Sequence, residues 1–207
     1  MKRVGNSQSI RSDKKRDVKP TIQLDLKDAL YRLSHLTFMP VKDVCQQMAI
    51  MVLYDRKTIE HLSKYFKRDL LTDRTVYIGN MENPSIAKRL VGRGERVTIR
   101  FTQGEYEALA MLSFALDCTT SRAVSLLLSI SMRNVRFINR FIKQYLREQL
   151  SDSQMRELQA ILRYTNRTGE SHHSWASLLA YVAEEVGGPV ARIKEAVNEF
   201  IDMKWRD

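Results

Sequence analysis

The sequence predicts a mainly α fold: a unit of short strand, helix, break and second helix that occurs twice, followed by a C-terminal module of three helices. Two stretches of period-two alternation, each running at once into a helical period, predict the strand-to-helix order. The two stretches also agree in order and length at a fixed offset. With 43% apolar residues in a chain of 207, there is enough material for a core in one or two modest domains.

Residues 1–20 carry Lys2, Arg3, Arg11, Lys14, Lys15, Arg16 and Lys19 among Ser, Asn and Gly, lack apolar periodicity and end at Pro20. They read as a flexible basic arm, either a solubilising tail or a phosphate-contacting segment. The first unit spans 21–69. Thr21, Gln23 and Asp25 alternate with Ile22, Leu24 and Leu26 as in a half-buried strand. A helix follows with Leu30, Leu33 and Leu36 on one face, then a break at Phe38-Met39-Pro40. Proline suits the first turn of the next helix, expected to run through Val44, Met48, Met51 and Val52 to about Phe66.

Residues 70–95 form a connector with a strand at Thr75-Val76-Tyr77-Ile78, a turn at Gly79-Asn80, a short helix after Asn83-Pro84-Ser85 and an exit at Gly92-Arg93-Gly94. The second unit, 96–150, repeats the first. Val97, Ile99 and Phe101 alternate with Thr98, Arg100 and Thr102. A helix with Tyr106, Leu109, Leu112 and Phe114 follows, then a break at Asp117-Cys118-Thr119-Thr120 and a long helix containing Val124, Leu127, Leu128, Ile138 and Ile142. At an offset of 79, residues 29–66 overlie 108–145 with six identities in 38 positions, and Thr21-Ile22 matches Thr98-Ile99 once two turn residues are allowed for. Residues 151–207 read as three helices, the second capped by Ser174 and the third reached through Gly187-Gly188-Pro189.

The net charge of +10 is unevenly distributed: +5 over residues 1–20, +3 over 21–92, +4 over 93–150 and −2 over 151–207. The first three quarters would attract a polyanion, and nucleic acid is the commonest soluble one. The last quarter reads as an oligomerisation or partner-docking module. A helix-turn-helix using Arg192, Lys194 and Asn198 is the alternative, opposed by Glu184, Glu185, Glu195 and Glu199 around the same hairpin.

A short alternating strand followed by two helices, twice over and behind a basic arm, resembles the ribbon-helix-helix family of DNA-binding proteins over residues 21–66 and 97–146. In that family two units pair their strands into an antiparallel ribbon that enters the major groove. The resemblance implies an intrachain pseudo-dimer of two such units. Ile22, Leu24, Val97, Ile99 and Phe101 would seal the core, and Thr21, Gln23, Asp25, Thr98, Arg100 and Thr102 would face base edges. Arg100 could fork onto guanine, Gln23 onto adenine, and Asp25 could accept from cytosine; an ordinary solvent-facing ribbon is the plain alternative.

The family also holds a backbone phosphate at the N-terminus of its second helix. Thr119, Thr120, Ser121 and Arg122 would serve in the second unit, and only Lys42 in the first, so the halves would hold DNA unequally. Lys14, Lys15, Arg16 and Lys19 of the arm would add phosphate contacts. Arg133, Arg136, Arg140, Lys143 and Arg147, spaced 3, 4, 3 and 4, form a basic stripe matched in the first unit by Lys57, His61, Lys64 and Arg68. The stripe is either a solvated face or a second contact to flanking DNA.

The expected function is sequence-specific binding of double-stranded DNA, typically as a prokaryotic, phage or plasmid transcriptional repressor, with self-association through 151–207. A plasmid-partition or relaxosome accessory protein is a second reading, and a helical adaptor for an acidic protein a third. No nucleophile motif appears, and His172-His173 lacks partners at metal-ligand spacing, so no catalysis, cofactor or metal is expected. Cys45 and Cys118 read as reduced packing residues. No apolar run approaches a membrane span, and the expected location is the cytoplasm, at the nucleoid.

Overall fold

The computed structural model describes residues 15–72, 74–86, 93–168, 174–177, 179–180 and 197. These are mainly helical, with three short antiparallel strand pairs. They fall into two compact units, the described parts of Met1–Gln23 with Leu53–Leu127, and of Leu24–Val52 with Leu128–Asp207.

In the first compact unit, β1 (Arg16–Val18) and β2 (Thr21–Gln23) run antiparallel to the later strands β6 (Ile99–Phe101) and β5 (Gly94–Arg96), respectively. Asp17↔Arg100, Val18↔Ile99, Thr21↔Arg96 and Ile22↔Glu95 all lie on one register. Pro20 stands in the gap, where it has no N–H for the ladder. Its carbonyl still accepts from the Val97 N–H at 3.1 Å, which carries the register across. Residues 16–23 and 94–101 therefore form one interrupted two-stranded ribbon. Val18, Pro20 and Ile22 are buried from one strand and Val97, Ile99 and Phe101 from the other. The side chains between them face the opposite way, as period two requires. At Gly94, opposite Gln23, a Cβ would come 2.9 Å from the Ile22 carbonyl oxygen, so only glycine admits this approach.

The first strand thus begins at Arg16, inside the stretch expected to be a flexible arm. Val18 and Pro20 extend the apolar alternation backward from Ile22, and their burial holds Arg16, Asp17 and Lys19 in the ribbon. It also ends sooner than expected, because Leu24 opens a helix. The remainder of the arm, residues 1–14, lies outside the described residues.

The rest of this unit comprises two helices, a short hairpin and the start of a third helix. The helix α3 (Arg56–Leu62) starts at the Asp55 N-cap, continues into a 3₁₀ turn at Ser63–Tyr65, and is followed by a hairpin of β3 (Leu70–Leu71) and β4 (Val76–Tyr77). The later helix α4 (Gln103–Ala115) starts with a reciprocal cap, in which the Thr102 hydroxyl accepts from the Glu105 N–H and the Glu105 carboxylate from the Thr102 N–H. Its end is satisfied when the Ala115 carbonyl accepts from the N–H groups of Lys67 and Arg68 at 2.7 and 3.3 Å. Ser125, on α5 (Thr120–Arg133), donates to the Thr21 carbonyl at 2.8 Å and ties that helix to the ribbon.

In the second compact unit, α1 (Leu24–Thr37) buries Leu30 and Leu33, and α2 (Val41–Leu53) buries Val44, Cys45, Met48 and Ala49. The helix α6 (Val135–Gln149) buries Phe137, Phe141, Ile142, Tyr145 and Leu146 on one face. Each such side chain contributes roughly 1.5–3 kcal/mol on leaving water. The helix α7 (Asp152–Thr168) adds Met155, Leu158 and Leu162.

The repeat is more regular than the sequence predicts. The helix starts Leu24 and Gln103, Val41 and Thr120, and Arg56 and Val135 are each 79 residues apart. The same offset relates Phe38 and Asp117, the two non-glycine residues at positive φ among the described residues (55° and 51°), which turn the chain between the first two helices of each copy. It also superposes the buried triads Val18, Pro20, Ile22 and Val97, Ile99, Phe101, so the two-residue adjustment at the strands is unnecessary. The expected long second helices are each two helices. Asp55 accepts from the Thr58 N–H and Asn134 from the Arg136 N–H, both at 3.0 Å, and each opens a fresh helix. The repeated unit is a strand and three helices.

The hairpin includes the strand expected near Val76, whereas no helix follows Asn83-Pro84-Ser85 as far as Ile86. Residues 175–177 and 179–180 are helical after Ser174, whose hydroxyl accepts from the Ser177 N–H. The turn at Gly187-Gly188-Pro189, the final helix apart from Val197, and His172-His173 lie outside the described residues.

Candidate nucleic-acid interface

The outward face of the ribbon presents Asp17, Lys19 and Thr21 from one strand and Arg96, Thr98 and Arg100 from the other. All are exposed except Thr21, which is half-buried. Across the ribbon Asp17 faces Arg100, Thr21 faces Arg96 and, by the same register, Lys19 faces Thr98. Lys19 and Thr98 are also equivalent under the repeat, so they mark its centre. Arg96 and Arg100 stand four residues apart, roughly 13 Å along the strand.

Thr98, Arg100 and Thr21 of the expected base-reading set lie on this face, and Gln23 stands at its end opposite Gly94. Asp25 and Thr102 do not. Asp25 is in the first turn of α1, and the Thr102 hydroxyl caps α4, because both helices start earlier than the alternation suggested. In their place the face gains Arg96, Asp17 and Lys19, the last expected at a phosphate. The alternation of Val18, Pro20 and Ile22 is the signal that would have found Asp17 and Lys19, and that of Val97, Ile99 and Phe101, carried back one residue, would have found Arg96.

Side-chain contacts hold several of these groups. Arg100 Nε lies 3.2 Å from Asp17 Oδ1. Arg16 Nε donates to Gln103 Oε1 at 2.9 Å, with its guanidinium 6.0 Å from the Tyr106 ring centre. Lys15 is exposed just before β1, and Lys14 lies outside the described residues.

At the start of α5, Arg68, Ser113, Phe114, Asp117, Cys118, Thr119 and Arg122 line an open cleft of about 400 Å³. The helix dipole makes this end favourable to anions. The Thr119 hydroxyl accepts from the Arg122 N–H at 3.2 Å, and the Thr120 hydroxyl lies 3.3 Å from that of Ser113. Ser121 is half-buried beside them. Arg68 is engaged, donating to Asp117 at 2.9 Å and to the Phe114 carbonyl at 3.0 Å. Burial pushes the Cys118 thiol pKa up, partly opposed by the charge of Arg122. In the first copy, Lys42 is exposed in the first turn of α2, and the Pro40 carbonyl accepts from Asp43 and Val44.

The basic stripe is interrupted. Arg133 ends α5, whereas Arg136, Arg140, Lys143 and Arg147 ride on α6, because Asn134 starts a new helix between them. Arg136 and Arg140 lie 4.9 and 5.9 Å from the Phe137 ring centre, and Lys143 lies 5.9 Å from that of Trp175. The first copy does not repeat the stripe as one helix face: Lys57 and His61 are on α3, Lys64 is in the 3₁₀ turn, and Arg68 lines the cleft.

Among the described residues, no three His, Cys, Asp or Glu side chains cluster to hold a metal. Nor is any single helix there long and apolar enough to cross a membrane. No protein-family model matches the chain, and comparison with curated proteins and with solved structures returns no match.

Proposed function

We propose that the chain is a sequence-specific double-stranded-DNA-binding regulator of tandem ribbon-helix-helix type, acting by occupancy of its site as a repressor does. One observation carries the reading: a single chain pairs the strands of its two copies into an antiparallel ribbon with an apolar underside and a polar, cationic outer face. A two-stranded ribbon fits the major groove. The six outward side chains span about four base pairs, given a ribbon rise of roughly 3.3 Å per residue and a similar rise per base pair. Arg96 and Arg100 would fork onto guanine, with Lys19, Thr21 and Thr98 as adaptable contacts. The α5 N-terminus with Thr119 and Arg122, and Lys42 on α2, would hold phosphates.

Selection from a randomised duplex library, followed by competition with nonspecific duplex, tests this. The wild type is expected to enrich a short motif and to lose affinity steeply with salt. Arg96→Lys and Arg100→Lys keep the charge but remove the fork. Each is expected to leave nonspecific binding intact and lower the specific-to-nonspecific ratio by about 5- to 150-fold, the 1–3 kcal/mol of one bidentate pair. An unchanged ratio in both variants would refute base reading by the ribbon.

A further inference from the structure

The two guanidiniums on the ribbon face are chemically equivalent but differently placed. Arg100 is paired across the strands with Asp17, Nε to Oδ1 at 3.2 Å. Arg96 faces Thr21, a side chain that offers no charge. Under the repeat Asp17 corresponds to Arg96 and Thr21 to Arg100, so among the described residues the ribbon presents an acid–base pair across its strands at one end and a base facing a neutral side chain at the other.

An exposed pair of this kind contributes little to folding, since side-chain entropy and solvent screening offset its attraction. Asp17 and Arg100 side chains are 47% and 60% exposed. An acid on a face offered to a polyanion also opposes binding in general. Its effect on recognition is different. With the carboxylate beside Nε, the terminal nitrogens of Arg100 remain as a fork, and the ion pair biases their direction before DNA arrives. The second carboxylate oxygen of Asp17 can accept from a cytosine amino group, whereas it repels phosphate and the acceptor edge of a guanine.

We propose that Asp17 is a specificity-determining residue. It positions Arg100 for guanine and penalises misplaced DNA, so the end of the site beneath Arg100 is read more stringently than the end beneath Arg96, and the site is non-palindromic. This rests on the ribbon reading of function above.

The test selects motifs from one randomised duplex library with the full chain as wild type, Asp17→Asn, Arg100→Lys, Arg96→Lys and the Asp17→Asn/Arg100→Lys double variant. Asp17→Asn is expected to tighten nonspecific binding and to lower the specific-to-nonspecific ratio roughly tenfold, within the range of one base contact. Its motif should flatten at the position that Arg100→Lys also flattens, with the Arg96-dependent position unchanged. In the double variant, Asp17→Asn should flatten the motif at that position no further than Arg100→Lys alone, as expected of two groups that read one position together. A wild type that enriches no motif overturns the DNA reading itself. If the wild type enriches an Arg100-dependent motif and Asp17→Asn leaves motif and ratio unchanged, the role of Asp17 alone is overturned.

Discussion

The ribbon can be interrogated residue by residue, because burial alternates along it with period two. Phe101 and Ile99 are fully buried, whereas Thr98 and Arg100 between and beside them face solvent. Truncating Phe101 to alanine removes a whole ring from a site closed on all sides, for which the transfer and cavity costs together reach about 3–5 kcal/mol. Ile99→Ala should cost about 2–5 kcal/mol. Thr98→Ala is expected to stay within about 0.5 kcal/mol of wild type, since nothing buried depends on it. A domain's whole stability is typically about 5–15 kcal/mol, so Phe101→Ala should shift the urea midpoint by a large fraction of its value at constant slope. Circular dichroism through a urea titration of the four chains reads this directly. If Thr98→Ala cost as much as Phe101→Ala, or if both were silent, the register i to 117 − i inferred from Asp17↔Arg100 and Ile22↔Glu95 would be wrong. A slip by one residue would exchange the two faces.

Two further outcomes concern the helices. Asp55→Ala is expected to cost about 2 kcal/mol and Asn134→Ala about 1 kcal/mol by the same titration, the top and the middle of the range for helix caps. The difference arises because Asp55 is buried and also accepts from the Thr58 hydroxyl at 2.7 Å, which would lose its acceptor; equal losses would contradict this. Burial pushes the Cys45 thiol pKa from 9.0 to about 12. The unfolded chain releases this proton first, so the stability from Cys45 is complete below pH 9 and falls as pH rises toward 12, by up to about 1.4 kcal/mol per unit. Cys45→Ser or Cys45→Ala should flatten that slope in a pH series. In the wild type, alkylation of Cys45 at pH 8 should require unfolding.

Much of this organisation is legible in the residues because it follows from periodicity. The alternation of Val97, Ile99 and Phe101 places the second strand, and the apolar spacing of Leu109 and Leu112 places the helix behind it. Boundaries were harder to read where one signal continued through a change of structure. Apolar periodicity runs on past Asn134 and past Asp55, and only their capping side chains mark the new helices. The first strand was obscured differently. Arg16, Asp17 and Lys19 look like the end of a charged tail unless Val18 and Pro20 are read as every second residue of a strand. The outward-facing set differs accordingly, with Asp17, Lys19 and Arg96 in place of Asp25 and Thr102. The cleft at Thr119 joins Arg68 to Arg122 through a tertiary contact that no local pattern encodes.

Because both strands of the ribbon belong to one chain, its formation is unimolecular. Dilution cannot dissolve it, unlike a ribbon assembled from two protomers, whose population falls with protein concentration. A few copies per cell would each carry a complete ribbon. Its closure has a different cost in time: strand 16–23 must wait until residues 94–101 have been synthesised, at about 5–20 residues per second. During that interval of several seconds the apolar underside of the first strand, Val18, Pro20 and Ile22, has no partner strand. The charged side chains that alternate with them, Asp17 and Lys19, and Arg16 at the strand's start would then keep an unpaired edge from aggregating.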